Sequence, residues 1–221
     1  MTKSRIFHTD RYNTIEKEIV RVLNAQPDFL SSRTAESTRA AGDAIQTILS
    51  ESFPSILGGL CKDYSAEFAR RSMADLAFTD QDGLYYIVDV KTHRLETHFN
   101  MPNLTSVERL ARFYEDDKNY FVVLMVQYSI SGTKVTVSAV HFVPIEFFAW
   151  DCLTIGALGW GQIQIANANV ININERYSRR KWMIELCETM MAFYPREIGK
   201  IEHRMDYFKR LKRIWTKKSE E

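Results

Sequence analysis

The sequence contains few of the residues that mark specialised classes of protein. Its 221 residues include only 3 cysteines, 5 prolines and 9 glycines. The low proline and glycine contents exclude collagen-like and low-complexity chains. The three cysteines are far apart and form no C-x-x-C pair, which excludes a disulfide framework and a cysteine zinc site; Cys61, Cys152 and Cys187 are expected to be free thiols in the core.

Long hydrophobic runs are also missing. A membrane span needs about 20 apolar residues, whereas the richest apolar stretch, residues 142–150, contains Glu146 and is followed by Asp151. The polar N-terminal segment lacks the apolar core of a signal peptide. These absences predict a cytoplasmic protein without a membrane partner. The length of 221 residues and the lack of internal repeats and low-complexity linkers predict one domain over residues 1–221.

No excess of either charge exists overall, but the charges are unevenly distributed. The formal net charge is +1. Residues 176–218 carry 13 Lys and Arg against 5 Asp and Glu, a balance of +8, so the rest of the chain carries −7. The predicted organisation is a helical N-terminal part (1–65), a catalytic sheet core (66–168) and a basic helical C-terminal part (176–218) that is suited to a polyanion.

Hydrophobic periodicity predicts an α/β fold, in which helices flank a mixed central sheet of about five strands. Helices are predicted over residues 14–24, 37–52 and 107–114, with Pro54 beyond the end of the second. Two further helices are predicted over 178–193 and 195–215, separated at Pro195. Strands are predicted over 73–79, 84–91, 120–128, 133–143 and 162–165.

The first predicted hairpin carries the residues with the clearest chemical meaning. Strand alternation places Asp89 and Lys91 on one face. Counting back across the turn at residues 80–83 places Asp75 opposite residue 88 or 89. Two carboxylates that converge beside one ammonium repel each other unless a cation lies between them. Mg²⁺, a hard cation with oxygen ligands, would fill this role and would stabilise charge on a phosphoryl oxygen.

An ordinary ion pair at a strand edge is the alternative interpretation. The D-x-K spacing is common, and Asp116 and Lys118 match it in an acidic turn where solvated charges are expected. Asp89 differs because it lies within an apolar strand, which favours a functional role for its charge.

These residues resemble the signature of the PD-(D/E)xK nuclease superfamily, an acid on one strand followed by D/E-x-K on the next. Asp75, Asp89 and Lys91 match it, and Ala74 replaces the proline. The resemblance extends to type II restriction endonucleases of the EcoRV and HincII kind. Similar runs occur in the same order at residues 40–43 (Ala-Ala-Gly-Asp), 89–93 (Asp-Val-Lys-Thr-His), 101–106 (Met-Pro-Asn-Leu-Thr-Ser) and 162–165 (Gln-Ile-Gln-Ile), followed by Arg179, Arg180 and Trp182.

The resemblance implies the restriction-endonuclease-like fold and a homodimer that cuts both strands of a palindrome in double-stranded DNA, leaving 5′-phosphates and often blunt ends. It implies that Asp75, Asp89 and the Val90 carbonyl bind Mg²⁺, that Lys91 assists the attacking water, and that Thr92 lies near the scissile phosphate. Many relatives have an auxiliary glutamate where spacing places Gln46.

Further DNA contacts are predicted near this site. Asn and Gln can bond adenine bidentately, although alternating glutamines are also typical of the solvent face of a strand. The complete set of predicted DNA contacts is Thr92, His93, Arg94, Asn100, Asn103, Gln162 and Gln164.

No nucleotide cofactor is expected, because no P-loop lysine follows the glycines at residues 156–161. Two other functions remain open, a structure-specific DNA nuclease and a DNA-binding module with an inactive nuclease core.

Overall fold

The computed structural model describes residues 3–26, 37–65 and 74–218. The chain divides into two compact units, residues 1–176 and 177–221. The helices are α1 (Arg11–Asn24), α2 (Thr38–Leu57), α3 (Val107–Phe113) and α4 (Arg179–Thr216). The strands are β1 (Cys61–Ser65), β2 (Leu76–Asp80), β3 (Tyr85–Arg94), β4 (Asn103–Ser106), β5 (Asn119–Ser131), β6 (Lys134–Pro144), β7 (Leu153–Gly156) and β8 (Gln162–Ile165).

The first unit is built around a mixed five-stranded sheet with the order β1-β2-β3-β5-β6. Only β3 and β5 pair in parallel, and the other neighbours are antiparallel. Helix α1 packs against β6 and α2, and α2 packs against β3. The predicted α/β architecture with a mixed sheet of about five strands is therefore confirmed.

A second, three-stranded sheet was not predicted. Its order is β4-β8-β7, and both pairs are antiparallel. Of its strands, only β8 was predicted, with the same bounds that the structure has. Strands β4 and β7 have four residues, as β8 does, but neither shows the regular alternation of buried and half-buried residues seen in β8. Strand β1 was also missed, because its sequence, CKDYS, is largely polar.

The predicted end of α2 before Pro54 is wrong, since the helix continues through this proline to Leu57. A proline within a helix leaves the carbonyl four residues earlier without its usual donor. That carbonyl belongs to Ser50, and the Tyr64 hydroxyl donates to it at 2.7 Å. The tertiary hydrogen bond replaces the one that Pro54 cannot make.

The predicted break at Pro195 is also wrong. One helix of 38 residues, α4, runs through it. The carbonyl that loses its donor belongs to Met191, whose side chain is 68% exposed. Solvent can hydrate a carbonyl on this side of the helix, so the lost bond does not end it.

Aromatic side chains form the core between the sheet and the first two helices. Tyr86 stacks on Phe78 with ring centroids 4.5 Å apart and on Tyr120 at 5.1 Å. Phe53 of α2 contacts Phe78 and, at 5.7 Å, Phe142. These rings come from both helical and strand segments and fix α2 over the strands that carry the acidic hairpin.

The turn of that hairpin is organised by a buried carboxylate. The Asp80 side chain accepts hydrogen bonds from the backbone N–H groups of Asp82 and Leu84, each at 2.9 Å, and from the Tyr86 hydroxyl at 2.8 Å. Gly83 has φ of 77°, which glycine adopts without steric cost. The predicted tight turn is present, and Asp80 fixes the register of β2 against β3.

The burial of the three cysteines differs from the expectation. The prediction that all three cysteines lie in the core holds for Cys152, whereas Cys61 is half-buried and Cys187 is exposed. Cys187 follows Leu186 on α4, and the buried face of that helix is formed by Trp182, Leu186, Met190 and Phe193.

Among the helices of the described residues, none has the length and apolar character to cross a membrane.

Candidate active site

The acidic residues meet where β2 begins and β3 continues beyond it. Leu76 is paired with Val88, and the Asp75 N–H extends this ladder by donating to the Val88 carbonyl at 3.0 Å. Asp75 therefore lies one residue before β2, at the level of Asp89 on β3. Met73, where the sequence predicted the strand to begin, lies outside the described residues.

Two donors hold the Asp75 carboxylate. The Val90 N–H donates to Oδ2 at 2.7 Å, and the Gln46 side-chain amide on α2 donates to Oδ1. Helix α2 therefore contributes the Gln46 side chain to this site. Each Asp75 oxygen keeps a further lone pair that could accept another bond or bind a cation.

Asp89 is a buried carboxylate that is only partly neutralised. It is 5% exposed, and Lys91 Nζ donates to its Oδ1 at 2.8 Å. This contact confirms that the two side chains share a face. The other oxygen, Oδ2, is buried and has no hydrogen-bond partner among the described residues. Burial raises the pKa of the Asp89 carboxyl to about 7; Lys91 opposes this shift, and the Asp75 charge adds to it.

Lys91 connects the buried Asp89 to an open cleft. Its side chain is 24% exposed, and the cleft beside it has a volume of about 250 Å³. The cleft lies between the start of α2, the end of β3 and the segment before β4. It is lined by Thr38, Arg39, Gly42, Asp43, Gln46, Val90, Lys91, Thr92, Asn100 and Pro102.

The close approach of α2 to β3 depends on Gly42. A Cβ atom at this position would lie 2.9 Å from the Thr92 hydroxyl oxygen, closer than side chains tolerate. The glycine in the Ala-Ala-Gly-Asp run therefore lets Thr92 lie against the helix at the wall of the cleft. The role of Gly42 is steric, and the sequence resemblance of residues 40–43 to nucleases does not indicate this role.

The donor set fits a hard divalent cation. Two carboxylates and nearby backbone carbonyls are the oxygen ligands that Mg²⁺ prefers, and the unpartnered Asp89 Oδ2 is a buried acceptor that a cation would satisfy. Within residues 3–26, 37–65 and 74–218, no cluster of three or more His, Cys, Asp or Glu is suited to a metal. A cation here would complete its coordination with backbone, water or substrate oxygens.

The predicted DNA contacts fall into groups with different surroundings. Thr92 and Asn100 line the cleft beside Lys91. Arg94 is half-buried and pairs with Glu96 at 3.0 Å. His93 is fully buried, and its Nε2 lies 2.9 Å from Oδ1 of Asn169. His93 has no surface from which it could contact DNA in this conformation, because the loop that contains Asn169 covers it.

The remaining predicted contacts lie on the three-stranded sheet. The Gln164 amide donates to Asn103 Oδ1 across the β4–β8 pair. Gly156, beside Gln164, has no Cβ; one would lie 2.7 Å from the Gln164 amide oxygen. Gln162 lines a second cleft of about 350 Å³ with Arg109. The three predicted residues therefore share one small sheet.

Sequence reasoning missed several residues of this region. Thr38 and Arg39 line the first cleft, and Arg109 lines the second. Asn169 was also missed; its amide donates to the Thr97 and His98 carbonyls in the segment that follows β3. Arg39 precedes the Ala-Ala-Gly-Asp run by one residue, which is the only signal that could have identified it.

Comparison of the sequence with known proteins identifies no family for this protein. No protein-family model matches the sequence, and a search of curated proteins returned no significant match.

Proposed function

We propose that the protein is a Mg²⁺-dependent, sequence-specific endonuclease of double-stranded DNA with the PD-(D/E)xK restriction-endonuclease-like fold. The observation that carries the proposal is the Asp75, Asp89 and Lys91 cluster beside an open cleft. Asp89 has one buried oxygen without a partner among the described residues, an arrangement that a simple surface ion pair does not produce.

Each residue of the cluster has a distinct role. Asp75 and Asp89 would hold the cation, with the Val90 carbonyl as a third oxygen donor. Bound Mg²⁺ would stabilise the negative charge that develops on the phosphoryl oxygens during hydrolysis. The Gln46 amide and the Val90 N–H orient Asp75, so its carboxylate is positioned before any ligand arrives.

Lys91 would act on the attacking water. Its ammonium contacts Asp89 Oδ1 and also borders the cleft, so the same side chain adjoins the metal ligands and the space for the phosphodiester. Lys91 would orient this water for attack on phosphorus. The attack would form a new P–O bond and break the P–O3′ bond; the water proton would pass to solvent and O3′ would take up a proton from solvent, leaving a 3′-hydroxyl and a 5′-phosphate.

The cleft has polar walls suited to the DNA backbone and base edges. Thr92 and Arg39 offer a hydroxyl and a guanidinium for a phosphate, and Asn100 offers an amide. Asn103, Gln162 and Gln164 offer base-reading amides on the small sheet. A homodimer would present two such sites to the two strands of a palindrome.

Incubation of the purified protein with Mg²⁺ and genomic DNA, followed by sequencing of the new ends, tests the proposal. We expect double-strand cuts at one repeated sequence on linear duplex DNA and none with a chelator present. Cuts confined to branched DNA would favour a structure-specific nuclease. Tight binding without any cut would favour a DNA-binding module.

Matched substitutions assign the chemistry to the cluster. Asp89→Asn and Lys91→Ala should each lower cleavage by at least about 10³-fold while leaving the fold intact. Asp116→Ala is the control, because Asp116 has the same D-x-K spacing but caps an exposed turn through the Lys118 N–H. Normal cutting by the Lys91 variant would contradict the proposal.

A further inference from the structure

The second half of helix α4 is a long helix without a covered face. Up to Phe193 the helix buries four side chains, those of Trp182, Leu186, Met190 and Phe193. From residue 194 to residue 218 no side chain is buried. More than 20 residues of helix therefore extend beyond the part with buried side chains. Exposed apolar side chains in such a helix promote association, which favours their burial against another surface.

Those apolar side chains follow the seven-residue repeat of a coiled coil. Ile198, Ile201, Met205, Phe208 and Trp215 are 49 to 63% exposed. Their spacing is three, four and three residues and then seven, which corresponds to alternating a and d positions with Lys212 at the one remaining a position. An ordinary amphipathic helix follows a period of 3.6, whereas this seam follows 3.5.

The area of the seam is sufficient for pairing. Five side chains of this size at these exposures present roughly 600 Å² on one helix, so two facing helices would bury about 1,200 Å². That value lies at the lower end of the range for stable, specific interfaces. A second copy of this same seam supplies a complementary surface without any other partner.

The flanking charges select the direction of pairing. Parallel pairing would place Glu197 opposite the partner's Glu202 and Arg204 opposite the partner's Lys209, which are two repulsive contacts. Antiparallel pairing, with Met205 opposite the partner's Phe208, places Glu202 opposite the partner's Lys209, and symmetry repeats this attractive contact. In the same register Ile198 meets the partner's Trp215 and Ile201 meets the partner's Lys212, so the contact extends along the seam.

We propose that the α4 seam of Ile198, Ile201, Met205, Phe208 and Trp215 pairs with a second copy of itself as an antiparallel two-helix coiled coil. The inference goes beyond the homodimer of the proposed function because it assigns the pairing surface and its direction, and it rests on the spacing, exposure and charge of α4 and on nothing in the acidic site. The basic side chains Lys200, Arg210 and Arg213 remain on the outer faces of the pair.

Sedimentation equilibrium of the full chain at micromolar concentrations tests the pairing. We expect a dimer, and we expect Phe208→Glu to raise the dimer dissociation constant at least roughly 100-fold. His203→Glu is the matched control, since it makes a similar charge change at an exposed position of the same helix opposite the seam. Helix content by circular dichroism should be unchanged in both variants.

Charge exchange tests the direction. Glu202→Lys and Lys209→Glu should each weaken the dimer, by about tenfold at low salt, and the double variant should restore it. In a parallel pair each single change would instead strengthen association, because it would remove a repulsion. Strengthening by either single variant would therefore overturn the antiparallel assignment.

Other results would overturn the inference as a whole. These are a wild-type monomer at 100 μM concentration, a dimer that Phe208→Glu does not weaken, or a monomer that binds anionic lipid vesicles through Phe208. DNA cleavage measured on the same samples separates this inference from the proposed function. A dimer that does not cut DNA contradicts only the nuclease activity. A monomer that cuts DNA contradicts the pairing and the proposed homodimer, but not the nuclease activity.

Discussion

Replacement of Asp89 by asparagine is predicted to stabilise the protein at alkaline pH while it removes activity. The Asp89 carboxyl is 5% exposed, and one oxygen has no hydrogen-bond partner among the described residues. Its ionised form is therefore poorly solvated, and Lys91 compensates on one side only. Asparagine keeps the shape of the side chain and removes the charge.

The size of the effect follows from the pKa of Asp89, which burial raises from 3.8 to about 7. Because the folded-state pKa is the higher one, the stability that this group contributes is complete below pH 3.8 and is lost as the pH rises through 7. The loss amounts to about 2 kcal/mol at pH 5 and about 4 kcal/mol at pH 8. The stability of Asp89→Asn relative to wild type should thus increase by about 2 to 3 kcal/mol from pH 5 to pH 8.

Urea denaturation at the two pH values, with a chelator present, measures this difference. Mg²⁺ should then stabilise the wild type at pH 8, because it binds the ionised site only in the folded protein. With a dissociation constant near 1 mM, addition of 10 mM Mg²⁺ would contribute about 1.4 kcal/mol. The Asp89→Asn variant should show little of this stabilisation.

Two outcomes would refute the reasoning. One is a stability difference between wild type and Asp89→Asn that does not change between pH 5 and pH 8. The other is an Asp89→Asn protein that is less stable than wild type at pH 8 without metal, which would show that the carboxylate is well satisfied as an ion. Control measurements on Asp116→Ala should match the wild type in both pH and Mg²⁺ dependence.

Three further substitutions test other parts of the fold. Asp80→Ala should destabilise the protein by about 3 kcal/mol in urea unfolding, because three donors lose a buried charged acceptor. Gly42→Ala should lower thermal stability and DNA cleavage through its contact with the Thr92 hydroxyl, and in a Thr92→Ala background it should cost much less. Burial raises the pKa of Glu16 to about 7, so the stability that this carboxyl contributes is lost as the pH rises from about 4.5 through 7. Glu16→Gln should therefore stabilise the protein at pH 8 by about 1 to 2 kcal/mol, after allowance for solvent screening. In urea unfolding, the response of this variant to Mg²⁺ should be unchanged.

The main sheet could be predicted because its strands are long and apolar. Strand β5 has 13 residues with an almost continuous buried run, and its existence follows from composition alone. The helix ends at Pro54 and Pro195 were mispredicted for a different reason. Each proline removes one backbone hydrogen bond, but whether the helix ends there depends on whether another donor reaches the free carbonyl. At Pro54 that donor is the Tyr64 hydroxyl, ten residues further along the chain, which a local rule does not include.

The candidate site shows the same division between local and tertiary information. The shared face of Asp89 and Lys91 follows from strand alternation, and their ion pair confirms it. The hydrogen bond from Gln46 to Asp75 joins residues 29 positions apart. Gln46 could be identified in the sequence only because of the resemblance to nuclease sequences. The burial of His93 depends on Asn169, which is 76 positions away, so no local pattern could have predicted that this side chain is covered.

The position of Asp89 argues for a ligand more strongly than the motif does. Its neighbours Val88 and Val90 are buried, and an apolar residue between them would avoid the cost of a half-compensated charge. A buried carboxylate that only maintained structure would have both oxygens bonded, as Asp80 does in the same hairpin. The two aspartates differ in the bonding of the second carboxylate oxygen, which has no partner among the described residues only in Asp89. A cation could therefore be stabilised at this oxygen, beside Asp75 and next to the cleft that Lys91 borders.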